Sequence, residues 1–274
     1  MTRLDADAIR QALGDVAIAR LDALEVLPEI GSTNTYLMQQ PGPAAGRVHV
    51  VVTDNQTMGR GRHGRTWQSP PGSGLCLSVA YTFASQPENL PALTLALGLG
   101  VIDALESLGV HGVQLKWPND LVADNGKLGG ILTETQPRRS GEITVVTGVG
   151  LNVDLGDALE FGGETDWARR VADIAGYAGD IPPADHLAAR LVDSLGAAFL
   201  EFEIGGFGRF AHKWPGRDWL LGREVTIDTA QRQVTGVGAG VADDGALLVD
   251  TGAGACRRIT SGSVVMAGRR GAPE

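Results

Sequence analysis

The sequence predicts an α+β fold, a mixed-sheet domain packed with helices and followed by a small all-β domain. Three observations predict it. Strand-like alternation and helix-like spacing of apolar residues intermix up to about residue 212. The segment Gly74–Phe83 alternates strictly, with Leu75, Leu77, Val79, Tyr81 and Phe83 on one side. From about residue 215 to 267 only short strands remain, separated by turn signals such as Asp243-Asp244-Gly245. These features divide the chain into an N-terminal extension (1–28), a main domain (29–214) and a C-terminal β domain (215–270).

Taken in order, residues 5–13 have the pattern of a short amphipathic helix, and Leu27-Pro28 ends any continuation. Residues 29–38 contain a helix start, with Ser32 or Thr33 as the cap. Arg47 to Thr53 is β-branched and apolar, a buried strand, and a Gly/Arg loop follows at 59–66. Residues 74–83 form a strand with one face in the core. Leu90, Leu93, Leu97, Val101, Leu105 and Leu108 recur at helical spacing. Residues 113–117, 128–134 and 142–153 read as three further strands, and Leu187, Leu191, Leu195, Phe199 and Phe202 mark a second long helix.

Composition narrows the function. A net charge of −9 and a pI near 5.1 exclude nucleic-acid binding through the overall field. Any anion must therefore be held locally. The longest apolar stretch, Leu90–Ile102, is shorter than the roughly 20 residues that a membrane span requires. The first fifteen residues lack the apolar core of a signal peptide. Cys76 and Cys256 both lie in apolar alternating stretches and are expected to be buried, reduced thiols, which fits the cytoplasm. Glycine reaches 39 of 274 residues, about twice the usual share, as expected where backbone approaches a ligand closely.

The strongest local signal is Gly59-Arg60-Gly61-Arg62-His63-Gly64-Arg65, directly after a strand. Arginine supplies planar, permanently charged donors suited to carboxylate and phosphate, and glycine lets backbone N–H groups reach a ligand. The other reading of the loop is an exposed basic turn. The spacing approaches a P-loop, but Arg65 replaces the essential lysine and Pro70-Pro71 forbids the helix that a P-loop opens. Lys116, Asn119 and Asp120 project at a strand end, where they form either a nucleotide-contacting cluster or an ordinary Pro-Asn-Asp turn. Lys127 stands beside Gly129 and Gly130 in what reads as a hairpin beginning at Asn125. Asn152, at an apolar strand end, requires a partner from the protein or a ligand. The five histidines show no metal-ligand spacing.

Five stretches together resemble the biotin protein ligases: residues 29–34 (EIGSTN), 54–70 (DNQTMGRGRHGRTWQSP), 115–121 (LKWPNDL), 127–134 (KLGGILTE) and 148–153 (GVGLNV). Each is weak alone; their order and spacing make the resemblance specific. The resemblance implies an SH3-like C-terminal domain and ATP-dependent activation of biotin, with Mg²⁺, ahead of transfer to a lysine of a biotin carboxyl carrier protein. It places Ser32, Thr33, Asn34, Gln56, Gly59, Arg60, Arg62, Lys127, Gly129 and Gly130 around biotin. It places Arg62, Arg65, Trp67, Lys116, Asn119, Asp120 and Asn152 around ATP, with Trp67 stacking on adenine and Asp120 near the metal. Lys127, Arg62 and Arg60 are its catalytic residues. His63 stands where some members have arginine, which weakens the loop by one permanent charge.

Some members carry an N-terminal DNA-binding domain. Fewer than 30 residues precede the first motif here, so no repressor role is expected. The implied partner is the carrier protein, without nucleic acid or membrane, for a monomer or a homodimer. The closest rival is a lipoate ligase or octanoyltransferase, which shares the fold and acyl chemistry. A biotin-sensing regulator is a second rival, against which the acidic charge balance argues.

Overall fold

A computed structural model describes residues 4–68, 70–124, 126–138, 141–156, 171–252, 254 and 256–270, with side chains described through 265. Asn125 and Ser69 of the sequence analysis lie outside the described residues. Two helices, α1 (Ala6–Ala12) and α2 (Asp15–Arg20), lead into β1 (Leu21–Val26). Then come α3 (Thr33–Gln39), β2 (Val48–Thr53), β3 (Gly74–Phe83) and the long helix α4 (Leu93–Ser107). The strands β4 (Val113–Lys116), β5 (Asp120–Ala123), β6 (Gly126–Pro137) and β7 (Ile143–Asn152) follow, and α5 (Ala184–Gly205) closes the main layer.

These strands form one seven-stranded sheet in the order β1-β2-β3-β7-β6-β5-β4. Only β1 and β2 pair in parallel; the remaining neighbours are antiparallel, so the sheet is mixed. After the short helix α6 (Trp214–Arg217) the chain forms β8 (Arg223–Asp228), β9 (Gln233–Val241), β10 (Leu247–Asp250), β11 (Cys256–Ile259) and β12 (Ser263–Arg270). They make a separate antiparallel sheet ordered β11-β10-β9-β8-β12. The mixed domain and the all-β domain are those that the sequence predicts.

The main core lies between the sheet and α4 and α5. The inward residues of β3 meet α5 there, where the Tyr81 and Phe199 rings stack at 4.8 Å and 8°. Offset ring pairs of this kind add about 0.5–1.5 kcal/mol beyond their buried area. The segment Leu90–Ser107 is apolar and long enough for a membrane span by those measures alone, but two thirds of it is buried within the protein. Its apolar character serves the core.

Four expectations need correction. The segment before residue 29 does not stand apart as an extension: β1 forms an edge of the main sheet, and Ile9 of α1 is fully buried in the core. The alternation at 74–83 signals a strand with both faces covered, since all ten residues of β3 are buried. Its second face packs under α3, around Leu37, Val51, Ala80 and Val146. The turn after Lys116 continues directly into β5, which pairs with both β4 and β6. Finally, Cys76 is buried but Cys256 is exposed, on the edge strand β11.

Candidate active site

The α3 side of the sheet carries a cleft of about 470 Å³. Its walls come from the N-terminus of α3, the Gly/Arg loop, the β4–β5 turn, β6 and β7, and the first residues of β12. Ser32, Thr33 and Asn34 line one end. Ser32 caps α3 by accepting from Thr35 N–H. Gln56 Oε1 accepts from the Thr33 backbone N–H at 2.8 Å and from its hydroxyl at 3.1 Å. Below them, Ser78 Oγ lies 2.7 Å from both Thr33 Oγ1 and Asn34 Oδ1. Asn34 Nδ2 donates to Leu132 O at 3.1 Å and to Glu134 Oε2 at 3.0 Å. Both ends of the Asn34 amide are thus engaged within the protein. Its side chain ties α3 to β3 and β6, and a Cβ at Gly148 would clash with it.

The Gly/Arg loop arches over this end. Arg60 is held at the rim by Glu134, 2.9 Å away, and by Thr35 Oγ1 at 3.3 Å. Arg62 turns inward and donates to Asn119 Oδ1 at 3.3 Å. Burial lowers its pKa, against the pull of Asp120 and with a further push from Arg65. Asn119 is itself fixed by donating to Ile131 O at 2.9 Å. Trp67 lies along the floor. A Cβ on Gly150 would sit 2.6 Å from its indole, so only glycine at 150 admits the ring. Gly59 accepts from Trp67 N–H at 3.0 Å, and any side chain there would clash with the Trp67 carbonyl. Trp67 Nε1 is the one buried side-chain polar atom without a partner among the described residues.

Cations concentrate at the other end. Lys127 Nζ lies 2.7 Å from Asp120 Oδ1 and 5.8 Å from the Trp67 ring centre. Lys116 is only 4% exposed, and burial lowers its pKa to about 8. The neighbouring charges of Lys127 and Arg65 lower it further, while Asp120 opposes them. Asn152 is anchored by donating to Lys127 O at 3.1 Å and Ala172 O at 3.0 Å. Buried Cys76 also lines the cleft, its thiol pushed up to about 12 by burial and so held protonated.

The cleft therefore brings together Ser32, Thr33, Asn34, Gln56, Arg60, Arg62, Arg65, Trp67, Lys116, Asn119, Asp120, Lys127, Gly130 and Asn152. Two predicted residues stand outside its lining. Gly59 acts through its contact with Trp67, and Gly129 packs against Gly150 O, Leu151 and Leu121. Sequence reasoning missed Gly148, Gly150, Cys76 and the second-domain segment 262–265. Two glycines at period two within a strand were the available signal for the first pair: both open the same face.

A model of the biotin/lipoate A/B protein ligase family matches residues 26–152, and one of the biotin protein ligase C-terminal domain matches 220–266. A Mycobacterium tuberculosis biotin–[acetyl-CoA-carboxylase] ligase is 34% identical over 250 residues, covering 88% of each chain. The chain belongs to the biotin protein ligase family. It is a ligase enzyme. The bifunctional ligase/repressor BirA of Salmonella typhimurium is 33% identical over 247 residues, spanning 90% of this chain and 73% of that protein. Among solved structures, the Aquifex aeolicus biotin protein ligase in complex with biotin and ATP superposes with a TM-score of 0.73. It is 28% identical and covers 91% of this chain and all of that one. Biotin protein ligases thus share both the main domain and the five-stranded C-terminal sheet of this chain.

Proposed function

We propose that the enzyme joins biotin to ATP as an acyl adenylate and then transfers the biotinyl group to a lysine of a biotin carboxyl carrier protein. The observation that carries this reading is the gathering of Arg62, Arg65, Lys116 and Lys127 in one cleft with Trp67 and the buried α3 N-terminus. Such a cleft suits two anions that must be pressed together. The biotin carboxylate is ionised at pH 7 and needs no base to attack the α-phosphorus. The barrier is repulsion between carboxylate and phosphate, together with the charge of departing pyrophosphate. The four cations offset it; in this reading Lys127 and Arg62 act on the reacting oxygens, and Arg60 acts from the loop rim.

In this reading Ser32, Thr33 and Gln56 receive the ureido end of biotin, with Asn34 bracing them from below. Trp67 offers its face to adenine. Lys116, Asn119, Asp120 and Asn152 surround the nucleotide. Asp120 is the one carboxylate among the cleft-lining residues described, and no cluster of three metal-ligating acids, His or Cys occurs among the described residues. That fits Mg²⁺, which takes one or two carboxylates and fills its shell with phosphate oxygens and water. When bound it would neutralise phosphate charge, with Asp120 holding it directly or through water.

The C-terminal domain match to biotin protein ligases favours biotin over lipoate or octanoate. The acidic charge balance favours a ligase without a DNA-binding repressor role. Relatives named for acetyl-CoA carboxylase favour its carrier subunit as the acceptor, and the two free cysteines favour the cytoplasm. The test is exchange of labelled pyrophosphate into ATP with Mg²⁺, run with biotin, lipoate and octanoate. Exchange with biotin alone is the expected result. Exchange with lipoate instead overturns the substrate, and exchange with none overturns the adenylation step.

A further inference from the structure

A second cavity of about 340 Å³ adjoins the cleft. It shares Arg62, Trp117, Pro118, Asn119 and Ile131 with the cleft, so the two meet at the Arg62–Asn119 hydrogen bond. From there its walls pass along Leu95, Thr94 and Thr133 of the main domain and Asp244, Gly245 and Ala246 of the second. Its remaining residues, Asn89, Pro91 and Thr260, are exposed and mark the mouth. The cavity thus lies between the two domains, with exposed residues at one end and residues that also line the cleft at the other. One bond pins its wall: Trp117 Nε1 donates to Gly245 O at 3.0 Å. Nothing in the adenylation step uses it.

Resting on the reading above, we propose that this passage admits the acceptor lysine of the carrier protein. Three features favour that occupant. Trp117, Pro118, Pro91, Leu95 and Ile131 give apolar walls suited to a methylene stem, as lysine stems pack elsewhere. The polar groups from the mouth inward are chiefly neutral: Asn89 and Thr260 at the mouth, then Thr94 and Thr133. The carboxylate of Asp244 is already committed to Arg258 at 2.6 Å, so the passage holds no free acid to trap an ammonium. At the inner end the fixed charge of Arg62 disfavours a second cation. An amine arriving there is driven toward its neutral, nucleophilic form.

The amine nitrogen bonds to the acyl carbon, the acyl carbon–phosphate oxygen bond breaks, AMP leaves with the electron pair, and two protons pass from the former ammonium to solvent. In the proposed reading acid and nucleotide fill the cleft itself, so the acceptor amine reaches the acyl carbon from the side. The passage also gives the C-terminal domain a task, since that domain supplies Asp244, Gly245, Ala246 and Thr260 to its wall.

Thr94, half-exposed in the first turn of α4, and Thr260, exposed after β11, touch neither end of the cleft. The test fills the passage from each side, with Thr94→Tyr and Thr260→Tyr in the full chain. For each variant, biotin-dependent pyrophosphate exchange and capture of the adenylate by hydroxylamine are measured beside transfer to the intact carrier. The expected result is exchange within about twofold of the wild type and carrier transfer reduced at least about tenfold. Unchanged carrier transfer in both variants overturns the passage. Loss of exchange along with transfer also overturns it, because the cavity would then belong to the acid or nucleotide. Absence of exchange in the wild type falls on the adenylation reading instead, so the two failures are distinct.

Discussion

Lys116 offers a measurable consequence of building a cationic site inside a core. Its ammonium is buried, and its pKa falls from 10.5 to about 8, chiefly through desolvation. A folded-state pKa below the unfolded value means that the unfolded chain binds the proton more readily. Stability therefore rises with pH between about 8 and 10.5, and the cost of the buried charge is fully present below 8. At 1.36 kcal/mol per unit, that cost is on the order of 3 kcal/mol at pH 7. Most of it, about 2–3 kcal/mol, is relieved by pH 10. Lys116→Met removes the titration while keeping the volume of the stem. Urea denaturation of both proteins at pH 7 and pH 10 isolates the effect, because other groups titrate equally in each. The wild type is expected to gain about 2–3 kcal/mol on the variant across that interval. A stability difference that does not change with pH would refute the desolvation argument. In the proposed enzyme the same physics opposes ligand binding at high pH: nucleotide affinity should weaken as pH rises through about 8, where the free site loses a cation.

Other expectations follow from the same geometry. Gly150→Ala forces the Trp67 ring off the floor, since the added Cβ sits 2.6 Å from a rigid indole. The KM for exchange should rise at least about tenfold, equivalent to about 1.4 kcal/mol, and an unchanged KM would free Trp67 from any binding role. Arg62→Ala and Lys127→Ala should lower exchange by on the order of 10²–10³, the usual loss for one pre-placed charge-stabilising donor. Their midpoints in urea should stay near the wild type, because both side chains are partly exposed; near-normal turnover in either would remove that residue from the chemistry. The 59–66 loop carries trypsin sites at Arg60, Arg62 and Arg65. Biotin with ATP should slow cleavage there by closing the loop over the adenylate, and equal cleavage with and without ligands would exclude closure.

Much of this protein was legible in its amino-acid order because the relevant physics is local. The period of two in residues 74–83 and the helical spacing in 93–105 survive in any context. So does the density of glycine and arginine at 59–65, whose chemistry depends on residue type alone. Other features exist only through pairing across the chain. Asp120–Ala123 is too short to announce a strand, and it becomes one by hydrogen bonding to β4 and β6 together. The same alternation that marks β3 cannot tell whether its second face meets water or α3, since Ser78 and Thr82 look solvent-facing yet are buried in hydrogen bonds. From sequence, Asn34 falls to biotin by resemblance, and Asn152 needs a partner that is either protein or ligand. Tertiary structure commits their amides to backbone and side-chain partners from β3, β6 and the segment at Ala172. Only folding brings residues 244–246 and 260–265 beside a loop some 200 positions earlier, which lines the cleft and its side passage from two domains. Residue type thus determined what chemistry the site holds. Contacts between distant segments decided which groups remain available for it, because burial and partner choice are properties of neighbours that the chain order does not place.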